Sequence, residues 1–201
     1  NRIILFSIIL LLLIYCPLEA FAETEEAIFA GGCFWCLEHD LESIYGVINV
    51  ESGYSGGNLE NPTYRNHNGH QEVVLVKFNP EKINYENLLR SYWRNIDPLD
   101  DKGQFCDKGD SYRPIIFTSN QDQKTQAELS LSKAANELDV KLEDIKVQIK
   151  PQKKFWLAED YHQDFAKLNN LKYRFYRSTC GRDNRLEEVW GDKASTADPW
   201  N

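Results

Sequence analysis

The stretch EVVLVKFNP, residues 72–80, constrains the fold more than any other. An apolar, β-branched run closed by Asn79-Pro80 reads as a buried strand, which needs neighbours to complete its hydrogen bonds. Candidates flank it. EAIFAGG (26–32) is a short strand ending in a glycine turn. From Cys33 to about Tyr45, apolar residues recur at Phe34, Leu37, Leu41, Ile44 and Tyr45, which is helical spacing, and Gly46 ends the helix. VINVESGYSGG (47–57) alternates as a strand. A polar loop rich in Asn, Gly and Pro then runs to Gln71, long enough to suggest a functional role.

Beyond the central strand, residues 84–97 predict a helix ended by Pro98, and 99–110 a second polar loop. YRPIIFTS is a strand, the segment from Asn120 to Leu138 a helix with Asn120 as N-cap, and IKVQIKP a strand. AEDYHQDFAKL (158–168) is a helix, and after Tyr176 the pattern becomes irregular. No repeat or linker interrupts the 201 residues, so one α+β domain is expected.

The N-terminal residues differ from the rest. Arg2 precedes an apolar run from Ile3 to Tyr15, and Ala20-Phe21-Ala22 offers small residues at a cleavage site, the pattern of a secretory signal over residues 1–22. The run is short for a membrane span, so cleavage and export to an extracytoplasmic or periplasmic space are expected, without a stable membrane anchor. The domain then occupies 23–190, with a flexible tail over 191–201. Arg2 and Glu19 cancel, so the net charge stays at −8. With no basic stripe, nucleic acid is not an expected partner.

Export leaves Cys33, Cys36, Cys106 and Cys180. Three chemistries fit Cys33-Phe34-Trp35-Cys36. A zinc site lacks a second ligand pair at workable spacing. A dithiol switch fits a C-x-x-C at a helix start, but two bulky rings between the sulfurs suit an apolar pocket better than a flat docking surface. A single nucleophile uses more of the local chemistry: Gly31-Gly32 permits a sharp turn, and Cys33 falls at a helix N-terminus, where free N–H groups favour a thiolate.

GGCFWCLE, GYSGG, NPTYRNHNGHQEVV, GDSYRPIIF and AEDYHQDF stand in the order found in type A peptide methionine sulfoxide reductases, and the chain resembles that family from about Ala27 to Tyr176. The resemblance implies a compact two-layer α/β sandwich with a ferredoxin-like mixed sheet and long functional loops. It implies reduction of the S epimer of methionine sulfoxide, free or in proteins. Cys33 resembles the nucleophile and Glu72 the general acid. Tyr64 and Tyr112 resemble the phenols that bind the sulfoxide oxygen, and Asp107 the carboxylate that orients substrate and water. Phe34 and Trp35 resemble the cage for the methyl group, with His162 at the rim. A sulfenic acid on Cys33 would condense with a second thiol. Cys180, on an irregular tail, is the first candidate, with Cys36 and Cys106 as alternatives. A thioredoxin-like dithiol would reopen the bond. No cofactor is expected, and the protein is expected to be a monomer. Two competing readings remain at this point: a thiol–disulfide oxidoreductase using Cys33 and Cys36, and a zinc- or disulfide-stabilised binding module.

Overall fold

The computed structural model describes residues 24–200. The expected signal segment, 1–22, lies outside the described residues. The strands are β1 (Glu25–Ala30), β2 (Val47–Ser55), β3 (Gln71–Phe78), β4 (Gly103–Gln104), β5 (Asp107–Lys108), β6 (Ile115–Thr118), β7 (Gln148–Pro151) and β8 (Trp156–Leu157). The helices are α1 (Phe34–Glu42), α2 (Tyr85–Trp93), α3 (Gln121–Glu137), α4 (Phe165–Leu168), α5 (Asn170–Cys180) and α6 (Arg182–Trp190).

Six strands form one mixed sheet in the order β7-β6-β1-β3-β2-β8. Only β6 and β7 pair in parallel; the other contacts are antiparallel. The β4–β5 hairpin stands apart. As EVVLVKF predicts, β3 sits centrally, between β1 and β2, and is buried almost throughout. Its alternation divides two cores. Val74, Val76 and Phe78 join Ala27 and Phe29 beneath the helices, where Leu37, Leu88 and Trp93 complete the larger cluster. Val73 and Leu75 join Ile28, Ala30, Ile115 and Phe117 on the opposite face, against Phe155. Phe155 lies over Gly53, where an added Cβ would come within 2.3 Å of its ring.

Helix starts follow the expected chemistry. Asn84 accepts from Asn87 N–H at 2.9 Å, and Asn120 from Gln123 N–H at 2.9 Å. Three expectations are corrected. The segment 158–168 is not one helix: a 3₁₀ turn (Asp160–His162) is followed by Asp164 at φ 51°, then α4. Tertiary hydrogen bonds override the helical spacing here. The Gln163 side chain pairs both ways with the Ser52 backbone at 3.0 Å, and Asp164 N–H donates to Glu38. The region after Tyr176 is helical rather than irregular, with Arg182, Leu186 and Trp190 buried at four-residue spacing on α6. Residues 191–200, expected as a flexible tail, are tied to α2: Arg90 donates to Ala197 O, Arg94 donates to Asp198 O, and Ser195 N–H bonds back to Arg94 O.

Antiparallel pairing of β1 with β3 places the end of β1 beside the start of β3. The glycine turn, Glu72 and the two long loops therefore meet at one rim of the sheet.

Candidate active site

Gly32 makes the turn from β1 into α1 at φ +84°, and a Cβ there would lie 2.6 Å from Gln104. Cys33 follows as the N-cap of α1, its carbonyl accepting from Cys36 N–H at 3.1 Å and Leu37 N–H at 3.3 Å. The next N–H, that of Phe34, donates to Glu72 Oε2 at 3.1 Å. Glu72, 2% exposed, thus sits against the first turn of the helix that carries Cys33.

A small cavity of about 60 Å³ opens at this rim, with Cys33 and Glu72 in its wall. Phe34 and Trp35 supply its apolar side, and Tyr64, Tyr112 and Asp107 arrive from the two long loops. These sequence-predicted residues are brought together. Burial raises the Glu72 carboxyl to about 8, against hydrogen bonds from Phe34 N–H and the Tyr112 hydroxyl. Glu72 is therefore a protonated acid at neutral pH. Burial likewise raises both phenols, Tyr64 and Tyr112, which stay protonated donors.

Cys33 differs from the expectation of a lowered thiol. Burial, first, and then its facing of Cys36 and Glu72 push it well above the ordinary range. The neighbouring Cys36 moves down, chiefly because Cys33 S–H points at it. Both sulfurs are free and buried, 6% and 2% exposed.

His162 is not a rim residue. It is buried behind the cage, where its Nδ1 accepts from Trp35 Nε1–H at 3.0 Å and its ring lies 4.9 Å from that of Phe34. Burial lowers its basicity, so the neutral ring keeps the lone pair that fixes Trp35. On its other side Trp35 stacks on Phe165 at 3.7 Å.

Cys180 ends a regular helix and is disulfide-bonded to Cys106. The bond ties the loop of β4 and β5 to α5 and leaves Cys106 exposed. Cys106, Asp107 and Cys180 form one convergent group of possible metal ligands among the described residues, but both its thiols are spent in the disulfide.

Sequence reasoning missed Tyr176. Its hydroxyl donates to Asp107 Oδ2 at 2.5 Å, faces the Cys33 sulfur and lines the cavity. Its position one helical turn before Cys180 was a usable signal, since an anchored cysteine anchors the residue four before it. Glu159 was also missed: it accepts from the Tyr54 hydroxyl at 2.9 Å and from Tyr64 N–H at 3.0 Å, holding the Tyr64 loop in place.

The family model described as "Peptide methionine sulfoxide reductase" matches residues 25–194. The chain belongs to the peptide methionine sulfoxide reductase family. Its similarity to Peptide methionine sulfoxide reductase MsrA 2 of Caulobacter vibrioides is 52% identity over 179 residues, covering 87% of this chain and 90% of the relative. Among solved structures, Mxr1 of Saccharomyces cerevisiae in reduced form superposes with a TM-score of 0.67 at 27% identity, covering 74% of this chain and 87% of that one. Methionine sulfoxide reductase A of Corynebacterium diphtheriae gives 0.64 at 28% identity, covering 74% and 76%. The α+β sandwich implied by the resemblance is thus the fold of this reductase family.

Proposed function

We propose that this reductase returns the S epimer of methionine sulfoxide to methionine, with Cys33 as nucleophile and Glu72 as proton donor. One observation carries the assignment of roles: a buried thiol and a neutral carboxyl occupy the wall of one small cavity, joined through the Phe34 N–H. The Cys33 sulfur attacks the sulfoxide sulfur while its proton passes to Cys36, which its S–H already faces. Glu72 protonates the sulfoxide oxygen, which Tyr64 and Tyr112 orient through hydrogen bonds. The S–O bond of the substrate breaks as its oxygen passes to the Cys33 sulfur as hydroxyl, the transient bond between the two sulfurs breaks with its electron pair returning to methionine, and Cys33 is left as a sulfenic acid. Phe34 and Trp35 hold the methyl group, and Asp107, steadied by Tyr176, orients the polar end of the substrate.

Cys36 is the better-placed resolver, because its sulfur is free and adjacent to Cys33 whereas Cys180 is engaged with Cys106. Its sulfur attacks that of Cys33, the S–O bond breaks, and the hydroxyl departs as water. Two electrons from a thioredoxin-like dithiol then reopen the Cys33–Cys36 bond. Oxidation with one equivalent of substrate, followed by mass-spectrometric mapping, decides between the candidates: a Cys33–Cys36 bond is expected, and a free Cys36 beside a Cys33–Cys180 bond would reverse the order. Reduction of separated S and R epimers of a methionine sulfoxide peptide tests the activity, with turnover of the S epimer alone expected.

An extracytoplasmic location is part of the proposal. The Cys106–Cys180 disulfide and the N-terminal signal pattern support it. Sequencing the N-terminus of the protein recovered from a secreting host tests it, with cleavage after Ala22 expected.

A further inference from the structure

Three successive residues at the turn of the β4–β5 hairpin are each tied to α5 or α6. Phe105 lies under the Arg182 guanidinium at 4.3 Å, Cys106 is bonded to Cys180, and Asp107 accepts from the Tyr176 hydroxyl at 2.5 Å. The covalent tie and the hydrogen bond run side by side, because Asp107 follows Cys106 and Tyr176 precedes Cys180 by one helical turn. The hydrogen-bonded pair lines the cavity with Cys33; the disulfide does not.

The two partners of this tie are not equally secure. Helix α5 has attachments of its own: Tyr173 is buried, and Arg177 donates to Asp40 Oδ1 at 2.7 Å. The hairpin is fixed at its base, where Gln104 pairs with the Asp97 backbone both ways, accepting from N–H at 2.8 Å and donating to O at 2.7 Å. Its turn carries Phe105 at φ +53°, a left-handed conformation that a side chain disfavours and that neighbouring contacts must enforce.

We propose that the Cys106–Cys180 disulfide is a redox latch on the active-site wall: closed, it positions Asp107 against Tyr176 beside Cys33; opened, it frees the hairpin turn and slows oxygen transfer. Cys106 and Cys180 are then positioning residues, which act through Asp107 and Tyr176 and touch no substrate. Opening takes two electrons from a thioredoxin-like dithiol. One of its thiolates attacks the sulfur of the exposed Cys106, the Cys106–Cys180 bond breaks, and Cys180 departs as a thiolate that takes up a proton. The second thiol of the reductant then displaces Cys106 in the same way, and the reductant leaves as a disulfide. Since the same class of reductant reopens Cys33–Cys36, the enzyme is fastest where the inner pair is reduced and the outer bond is still closed. The effect on rate rests on the proposed oxygen transfer at Cys33; the latch itself does not.

Single-turnover formation of methionine from a methionine sulfoxide peptide, with the full-length enzyme in excess, tests the proposal. Alkylation and mass mapping first define two states, one with Cys33 and Cys36 free and the outer bond closed, the other with all four thiols reduced by dithiothreitol. The closed form should react about tenfold or more faster than the opened one, the range expected for losing a charge-assisted hydrogen bond. Cys106→Ser with Cys180→Ser should match the opened parent, which supplies the comparison without substitution if that variant fails to fold. The Tyr176→Phe background separates a latch from general loosening. There no hydroxyl remains to be positioned, so opening should cost less than about twofold, whereas independent effects would multiply. Amide exchange gives a readout apart from catalysis: opening should speed exchange at residues 105–108 and leave Tyr173 to Arg177 protected. Equal rates in the closed and opened parent, or an equal loss in the Tyr176→Phe background, overturn the proposal. Unchanged exchange at the hairpin turn overturns it too. Failure of the Cys33 reading shows separately, as no methionine from any form, and the exchange result then decides the latch alone.

Discussion

Phe34 N–H donates to Glu72 Oε2 at 3.1 Å, so the carboxyl that must release a proton is pinned to the first turn of the helix that carries the nucleophile. Acid and nucleophile keep their spacing because one hydrogen bond links the two elements that bear them. The same bond leaves the other carboxyl oxygen to carry the proton.

Glu72→Gln preserves that bond but removes the proton. Single-turnover reduction should slow by ~10²–10⁴, the usual cost of a lost general acid. Rates within tenfold of the parent would assign the proton transfer to the phenols instead.

The parent's single-turnover rate should fall as pH rises through about 8, where Glu72 ionises, and the glutamine variant should lose that limb. Stability moves in the same direction. The folded chain holds a proton that the unfolded chain releases in the ordinary carboxyl range, so stability declines from that range up to about 8. Denaturant titrations of parent and Glu72→Gln at several pH values would show the difference in slope.

Cys33→Ser should abolish turnover, because a hydroxyl cannot replace a soft sulfur nucleophile. Residual activity near the parent's would move the chemistry to Cys36.

Tyr176→Phe removes the hydroxyl between Asp107 and Cys33 while keeping the ring that meets Trp35 edge-on at 5.9 Å. Loss of a hydrogen bond to a charged group, about 1.5–3 kcal/mol, corresponds to roughly a ten- to hundredfold slower oxygen transfer. Unchanged single-turnover kinetics would leave Tyr176 as packing alone.

The Cys106–Cys180 bond closes a loop with a sequence separation of 74, for which chain entropy gives a stabilisation of roughly 4 kcal/mol. Cys180→Ser should therefore lower the melting temperature by several degrees, as should dithiothreitol treatment of the parent. Equal melting temperatures with the bond closed and open would show that it bears no structural load.

The sheet was legible because its core strand announces itself: EVVLVKF has no polar residue between Glu72 and Lys77, and β3 is buried on both faces. The pocket was legible because Cys33, Glu72, Tyr64, Tyr112 and Asp107 lie in stretches whose family resemblance is strong. The Cys106–Cys180 link was not, since pairing across 74 residues depends on how a loop and a helix dock and cannot be read from spacing. Helix α6 was missed because only Leu186, Val189 and Trp190, crowded into its C-terminal half, mark its apolar side, while the buried Arg182 at its start reads as solvent-facing. The break at Asp164 follows from hydrogen bonds to Ser52 and Glu38, far away in sequence.

The cavity is built from both ends of the described chain: Cys33 enters with the first helix, Tyr176 with the fifth. During synthesis the nucleophile is made long before the wall that will enclose it. A nascent chain extending only to β7 carries Cys33, Cys36 and Cys106, besides Cys16, without the partner for Cys106. Correct pairing waits on the arrival of α5, so wherever an oxidant reaches the growing chain, completing the polypeptide races against closing the wrong bond.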